Sequence, residues 1–473
     1  MADGCLGPAL CKALQFSIPF RFKASSRSLS MATQRSTSLL AHSSSNPSQP
    51  SLLVFSGGTA FNGVVEELKN LTTRVAHVLP VSDDGGSTAE IVRVLGRKCI
   101  PSIEGERKGK IHQSYIRITA SRYETALDTP PLEMELALLI ASLGGPAVGD
   151  IRSRCLRLSD ESTSEALAVR RLLGHRLPLD ALQAKSEWYD IVEGEHSLWR
   201  DVSRPYGETI RAFLVYFQNQ ILRRSSESFS FSNGSIGNFF FAGARIFFQS
   251  LDAAIFLFSR VSDIPTESLV LPVISTNDRL TLGCELWDGT IIRGQNEISH
   301  PTNGSMEPIN KVFPTANPTV LDQLSKVDCI VYAMGSVFTS VCPSLVLLGI
   351  GEIISSRTYP KVLLLNGSHD RETSGFTASC FVTAITDALN RTYGDPQNCL
   401  KNLPNAYINA LLVPRDGQIL VDAQCLAAQG IFHVITVDSM HDPKVGIIFD
   451  PKSLIQALAD LISEYTSTHI TGI

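Results

Sequence analysis

The chain reads as an α/β protein with a Rossmann-like, three-layer fold built on a mostly parallel sheet, plus a helical excursion and a small β-rich excursion. Three observations predict this. Leu52–Phe55 is a short apolar run that stops at Ser56-Gly57-Gly58-Thr59; Asn62–Leu71 then places Val64, Val65, Leu68 and Leu71 at helical spacing, and Val75–Val81 reads as a second strand. Buried-strand runs return in the C-terminal half at Cys329–Ala333, Lys361–Leu365, Ala410–Pro414 and Phe432–Val437, with helical patterns between them. Loops rich in glycine and hydroxyl residues follow these strands, and the carboxyl edge of an open α/β sheet is where ligands sit.

The opening unit carries the strongest chemistry. A Gly-rich turn between strand and helix exposes backbone N–H groups beside the positive end of a helix dipole, which favours phosphate. The glycines fall as G-G-x-x-x-x-G (Gly57, Gly58, Gly63), which is not a dinucleotide fingerprint, and no P-loop lysine follows. The second strand ends in Ser82-Asp83-Asp84-Gly85-Gly86-Ser87, bringing two adjacent carboxylates to the same edge. Asp83 and Asp84 could bind a divalent ion, act as a base, or cap a following helix over Thr88–Leu95.

With 473 residues, 44% hydrophobic and 18% charged, the chain can bury a large core in one big or two medium domains. A net charge of −5 speaks against a general nucleic-acid binder. The ten cysteines are scattered without a CxxC or a Cys/His cluster, which suits a reducing compartment. The best candidate for a membrane span, Phe239–Phe258, is interrupted by Arg245, Gln249 and Asp252 and reads as a soluble helix face, so no membrane partner is expected. Residues 1–50 differ in kind. Between Asp3 and Glu66 there is no acidic residue, while Lys12, Arg21, Lys23, Arg27 and Arg35 are basic and serine is abundant. This resembles an organelle transit peptide, with plastid as the expected destination and mitochondrion or cytoplasm as the alternatives.

Residues 51–470 form the expected α/β domain. The stretch 97–143 has little periodicity apart from a short helical pattern at Leu132–Leu143, and removing it would join VRVLG to GPAVGDIRS. It reads as an insertion, a retained intron or a gene-model artefact. Gly144–Arg152 reads as a compact turn carrying Asp150 and Arg152. Residues 156–228 form the helical excursion, whose last helix has an apolar face (Ile210, Phe213, Leu214, Phe217, Ile221) expected to pack on the sheet. His175 and His196 read as lone histidines of surface or core. Ser232–Asn238, opening the helix Phe239–Phe248, suits either an anion or ribose site or a plain N-cap. The β-rich excursion covers 255–300, with strands at AAIFLF, SLVLPVI, RLTLGCEL and TIIRG. After a helix at Thr319–Lys326 and the strand at Cys329, Met334–Val341 repeats the chemistry of the opening loop with Gly335, Ser336, Thr339 and Ser340. Asn366, His369, Asp370, Arg371 and Glu372 follow the next strand, ahead of a helix through Leu389. Helices are expected at Ala423–Gln429 and Lys452–Ser463, and His441 and Asp442 on a loop after the final strand.

In this order, SGGTAFNG, SDDGGS, PAVGDIRS, SIGNFFFAG, MGSVFTSVCPSLV and ETSGFTAS resemble the 2-phospho-L-lactate transferase (CofD-like) superfamily over roughly residues 51–450. One branch moves a 2-phospholactyl-type group from a guanosine diphosphate donor to a deazaflavin, with magnesium. The other comprises YvcK-like gluconeogenesis factors, which bind UDP-sugars and influence carbon metabolism; the Asp-Asp-Gly-Gly, Gly-Asp-Ile-Arg and Gly-Ser-x-x-Thr-Ser sequences look closer to it. The resemblance implies a nucleotide-linked small-molecule ligand across the strand ends, Mg²⁺ as cofactor and a homodimer. It casts Asp83 and Asp84 as catalytic and, with Asp150, as metal ligands. Gly57, Gly58, Thr59 and Asn62 would serve the phosphates, Arg152 their charge, and Asn238 with Gly335, Ser336, Thr339 and Ser340 the base, ribose or distal phosphate.

Overall fold

Seven of the apolar runs lie side by side as parallel strands. The computed structural model describes residues 49–81, 146–223, 229–275, 283–285, 291–293, 316–392, 399–443 and 445–470. Asp83, Asp84, the helices expected at Thr88–Leu95 and Leu132–Leu143, the 97–143 segment and leader residues 1–48 lie outside the described residues.

The strands are β1 (Leu52–Phe55), β2 (Val75–Leu79), β3 (Leu269–Pro272), β4 (Gly283–Glu285), β5 (Ile291–Arg293), β6 (Cys329–Tyr332), β7 (Lys361–Leu364), β8 (Ala410–Pro414), β9 (His433–Val437), β10 (Ser439–Asp442) and β11 (Gly446–Phe449). The helices are α1 (Asn62–Leu71), α2 (Gly149–Leu158), α3 (Ser164–Gly174), α4 (Ala181–Glu193), α5 (Arg204–Leu222), α6 (Ile236–Phe248), α7 (Leu251–Val261), α8 (Pro318–Leu324), α9 (Cys342–Leu345), α10 (Ile350–Ser356), α11 (Ala378–Asn390), α12 (Ala423–Ala428) and α13 (Pro451–Ile470). The sheet runs β3-β2-β1-β6-β7-β8-β9, with every pair parallel; β4–β5 and β10–β11 are separate antiparallel hairpins.

Alternation along each central strand divides the core into two layers. Leu52, Val54, Val75, Leu79, Val331, Val362 and Leu412 face the layer containing α1, α2, α6, α7 and α13. Leu53, Phe55, Val78, Ile330, Leu363 and Leu411 face the layer of α8, α10 and α11. A strand covered on both faces is apolar at nearly every position, with His77 in β2 and Lys361 at the start of β7 as buried exceptions, which is why these segments read as apolar runs. The Rossmann-like three-layer architecture expected from the sequence is therefore present.

Several local expectations are corrected. Asp150 and Arg152 sit in the first turn of α2 rather than in a compact turn. AAIFLF belongs to α7, not to a strand. Leu251, Ala254, Ile255, Phe258 and Val261 recur at three- and four-residue intervals and are buried, and Ser250 caps the helix by accepting from Ala253 N at 3.1 Å. Phe239–Phe258 is two helices broken at Gln249, which adopts φ 52°; no helix among the described residues is long and apolar enough to cross a membrane. His441 and Asp442 pair within β10 instead of lying on a loop. The final helix extends to Ile470, seven residues past the expected Ser463.

The amphipathic helix α5 buries Ile210, Leu214, Phe217 and Ile221, but against α6 and the aromatic cluster of Trp188, Phe231 and Phe239 rather than on the sheet. α6 approaches α5 so closely that a Cβ at Gly243 would lie 2.2 Å from the carbonyl oxygen of Phe213. Gly243→Ala therefore has to push the two helices apart. We expect it to lower unfolding free energy by about 1–3 kcal/mol, as overpacked cores do, measured by denaturant titration; an unchanged midpoint would contradict this contact.

Candidate functional site

The sheet order proceeds from β1 outward to β2 and β3 on one side and from β6 to β9 on the other, so the order reverses between β1 and β6. A crevice opens at the carboxyl ends of strands flanking such a point. Leu52 pairs with Cys329 and Phe55 with Tyr332, so the loops after β1 and β6 emerge side by side. Between them lies a cleft of about 650 Å³. Gly57, Gly58, Thr59, Asp150, Gly335, Ser336, Thr339 and Ser340 line it, all residues expected from the sequence. Ala60, Met334, Asp370, Arg371 and Glu372 complete the lining.

The two glycines are required by close approach. A Cβ on Gly57 would lie 2.7 Å from Ser340 Oγ, and one on Gly58 would lie 2.1 Å from Asp150 Oδ1 and 2.7 Å from Asp150 Cα. The β1 loop is thus wedged between the β6 loop and the first turn of α2. The β6 loop opens with Gly335 at φ 140°, a conformation that favours glycine. Gly335 N donates to Asn366 Oδ1 at 2.9 Å, and Asn366 Nδ2 donates back to Gly335 O at 2.9 Å. Val337–Val341 continues as one wide π-type turn, a geometry that recurs at functional sites. Glu372 holds that turn from the β7 loop: its carboxylate accepts from Phe338 N at 3.0 Å and Thr339 Oγ1 at 2.9 Å, while Ser336 and Thr339 share a hydrogen bond. Asp370 Oδ1 accepts from Thr373 N at 2.9 Å and Thr373 Oγ1 at 2.6 Å. Asp370, Arg371 and Glu372 stand out in the sequence as a charged run after an apolar strand, but nothing local shows that they face the β1 loop.

Arg154 organises the site without lining it. It is fully buried and makes four hydrogen bonds, to Asn62 Oδ1 (3.0 Å), His77 Nδ1 (2.8 Å), Ser56 Oγ (3.2 Å) and Gly57 O (3.0 Å). Its guanidinium also stands 5.2 Å from the centre of the Phe61 ring. Burial lowers its pKa to about 10, with Asp150 acting in the opposite direction. Asn62, expected near phosphate, instead accepts from Arg154 and donates to Ser153 Oγ at 2.8 Å. Arg152 is buried against α6 and Asn238 within it, and neither is among the cleft-lining residues. His175 and His196 are not lone: both Nε2 atoms reach Glu187 Oε1, at 2.5 and 3.5 Å. No group of three or more His, Cys, Asp or Glu among the described residues is arranged to hold a metal ion.

A glycine- and hydroxyl-lined cleft at the switch point of a seven-stranded parallel sheet places the chain in the open, Rossmann-like α/β class. The family model described as 2-phospho-L-lactate transferase CofD matches residues 136–442. The chain belongs to this family. It is similar to the uncharacterized protein YNL011C of Saccharomyces cerevisiae, with 30% identity over 422 residues, covering 72% of this chain and 83% of the yeast protein. It is also similar to the gluconeogenesis factor of Halalkalibacterium halodurans, with 35% identity over 162 residues, covering 33% of this chain and 48% of that protein. The crystal structure of protein BH3568 from Bacillus halodurans shares the fold, with a TM-score of 0.56 at 21% identity over 87% of this chain and 99% of that one.

Two predictions follow from the Arg154 network. Arg154→Met leaves Ser56, Asn62 and His77 buried without their donor and should cost about 3–5 kcal/mol; a stability within 1 kcal/mol of wild type, roughly, would show that the network is dispensable. Burial first, and then Arg154 and Lys69, holds the His77 pKa well below 6.5. Below about pH 6.5 the unfolded chain takes up a proton that the folded chain refuses, so this contribution to stability is complete above that pH and is lost as pH falls beneath it. Melting temperature between about pH 7.5 and 5 should therefore drop more steeply for wild type than for His77→Gln. Parallel curves would count against a neutral, buried His77.

Proposed function

We propose that the chain is a CofD-type transferase that binds a nucleoside-diphosphate-activated donor of the guanosine type in the β1–β6 cleft. It would pass a 2-phospholactyl-type group to an acceptor hydroxyl such as that of a deazaflavin. The observation that supports this most is the meeting of Gly57 and Gly58 with Asp150 and Ser340. Bare backbone, a carboxylate and a hydroxyl converge there at the strand ends.

In this reaction the acceptor oxygen forms a bond to the phosphorus beside the transferred group. The bond from that phosphorus to the nucleoside monophosphate oxygen breaks, and the acceptor proton passes to a carboxylate. Such displacement needs positioning and charge neutralisation more than a covalent intermediate. Gly57, Gly58 and Thr59 cradle the phosphates, Ser336, Thr339 and Ser340 bind ribose or distal phosphate oxygens, and Arg371 in the lining adds positive charge. One of Asp83 and Asp84 orients the attacking hydroxyl. Magnesium prefers oxygen ligands and commonly takes one or two carboxylates with the substrate's own phosphates. Asp150 suits that pattern, Asp83 and Asp84 would join it in holding the ion, and the ion would supply charge neutralisation on the phosphates. Plastid delivery and a homodimer belong to the same reading, resting on the basic, serine-rich leader and on the family resemblance.

The similarity to gluconeogenesis factors favours a second reading, in which the same cleft binds a UDP-sugar and the protein regulates carbon metabolism without catalysis. The full chain should be given Mg²⁺ with GDP, UDP-sugars, or a guanosine-diphosphate-linked donor plus deazaflavin. Release of GMP, lost in Asp84→Ala and reduced about 10²-fold or more in Asp150→Asn, is the transferase outcome. Saturable UDP-sugar binding with no product would replace it by the regulatory reading, and absence of any nucleotide binding would reject both.

A further inference from the structure

The first turn of α6 gathers polar groups that their surroundings leave unsatisfied. Ser235 is the N-cap residue and fully buried, yet its hydroxyl makes no capping bond and has no hydrogen-bond partner among the described residues. A serine at this position ordinarily accepts from the second or third N–H of its helix. Arg152 reaches the same turn from α2. Its stem crosses Gly237, where a Cβ would lie 2.8 Å from Arg152 Cδ and 2.5 Å from Leu173 O. Arg152 is 8% exposed, and its Nε is buried without a hydrogen-bond partner among the described residues.

Arg176 is fastened to this turn by backbone pairing. Arg176 and Ser235 form an antiparallel bridge, Ile236 N donates to His175 O at 3.1 Å, and Leu177 N donates to Gly234 O at 2.8 Å. Arg176 Nη1 reaches Asn233 O, two residues before the N-cap, and Arg152 crosses the first turn, so two guanidinium groups lie near the positive end of a 13-residue helix. Burial, and next the charge of Arg176, lowers the Arg152 pKa to about 10; Asp150 offsets part of this. Beside the turn is a surface cavity of about 820 Å³ lined by Leu167, Arg170, Arg171, Gly174, His175 and Arg176. Its lining contains no carboxylate. Arg170 is paired with Glu66 and Glu161, and His175 with Glu187, whereas among the described residues Arg176 Nη1 donates to the Asn233 carbonyl at 3.2 Å and to no carboxylate. An orphaned buried hydroxyl, an orphaned buried guanidinium nitrogen and a helix N-terminus have one ligand chemistry in common, an anion with several acceptor oxygens.

We propose that the α6 N-terminus, with Arg152, Arg176 and Ser235, is a second anion site, separate from the β1–β6 cleft, that takes a phosphate group entering through the arginine-lined cavity. The phosphate has two sources, a free phosphorylated metabolite or the anionic tail of the molecule bound in the cleft. The second source requires a ligand long enough to pass around α2, because Asp150 faces the cleft and Arg152, two residues on, faces α6.

The test uses the full chain without nucleotide. Thermal unfolding is followed in inorganic phosphate and in sodium chloride of matched ionic strength. Phosphate should raise the melting temperature of wild type above the chloride control. Arg176→Gln, an exposed position that leaves the fold intact, should weaken phosphate about tenfold or more, and Ser235→Ala should shrink the shift. No stabilisation beyond chloride, or an equal shift in wild type and Arg176→Gln, overturns the proposal. Affinity for a guanosine-diphosphate-linked donor then separates the sources. A loss in Arg176→Gln with GDP affinity unchanged assigns the site to the tail of the cleft ligand, and an unchanged donor affinity assigns it to a free anion. Phosphate stabilisation is read without nucleotide, so this site and the cleft reading fail independently.

Discussion

A buried guanidinium holds the candidate site in place. Arg154 comes from α2, yet its hydrogen bonds go to the end of β1, the start of α1 and the middle of β2. A charge in a core is tolerable only when its donors are satisfied, and four partners with an aromatic face meet that requirement. Because Gly57 O and Ser56 Oγ are among those partners, the loop after β1 takes its position from a residue nearly a hundred positions later. The same helix carries Asp150 one turn earlier, so the bond network that fixes the glycine loop also aims a carboxylate at it.

The rest of the cleft is assembled by similar long-range constraints. Ser340 touches Gly57, Asn366 clamps the backbone of Gly335, and Glu372 braces the wide turn at Val337–Val341. Each of these contacts joins loops that follow neighbouring strands, so the strand order is what makes them possible. The result is a hydroxyl-rich wall facing a carboxylate-bearing one. Around the far side of α2 the balance of charge is opposite. Among the described residues Asp150 is the carboxylate whose charge acts on Arg152, so α2 has an acidic cleft on one side and a cationic turn on the other.

The strands of the central sheet were legible in the sequence because burial on both faces leaves an unmistakable apolar signature. The glycine and hydroxyl loops were legible because their positions just after those strands place them at one edge whatever the strand order. Misreadings came where local pattern is ambiguous. AAIFLF is as apolar as a strand, and only its burial at Leu251, Ala254, Ile255 and Phe258 reveals a helical period. β10 and β11 are only four residues each, too short for alternation to register. α5 has a clear apolar face, but a face does not say whether a sheet or another helix covers it.

The sequence by itself determined the fold class, the family and eight of the residues that line the cleft, since composition, periodicity and ordered motifs are local properties of the chain. Only the tertiary structure decided that Arg154 is the organising residue, that Asp150 lies over Gly58 and that Asp370, Arg371 and Glu372 join the cleft. It also decided that Arg152 turns away from the cleft toward α6. Those outcomes depend on which strands are neighbours and on which side of a helix a residue falls relative to elements distant in sequence, and no local pattern encodes either.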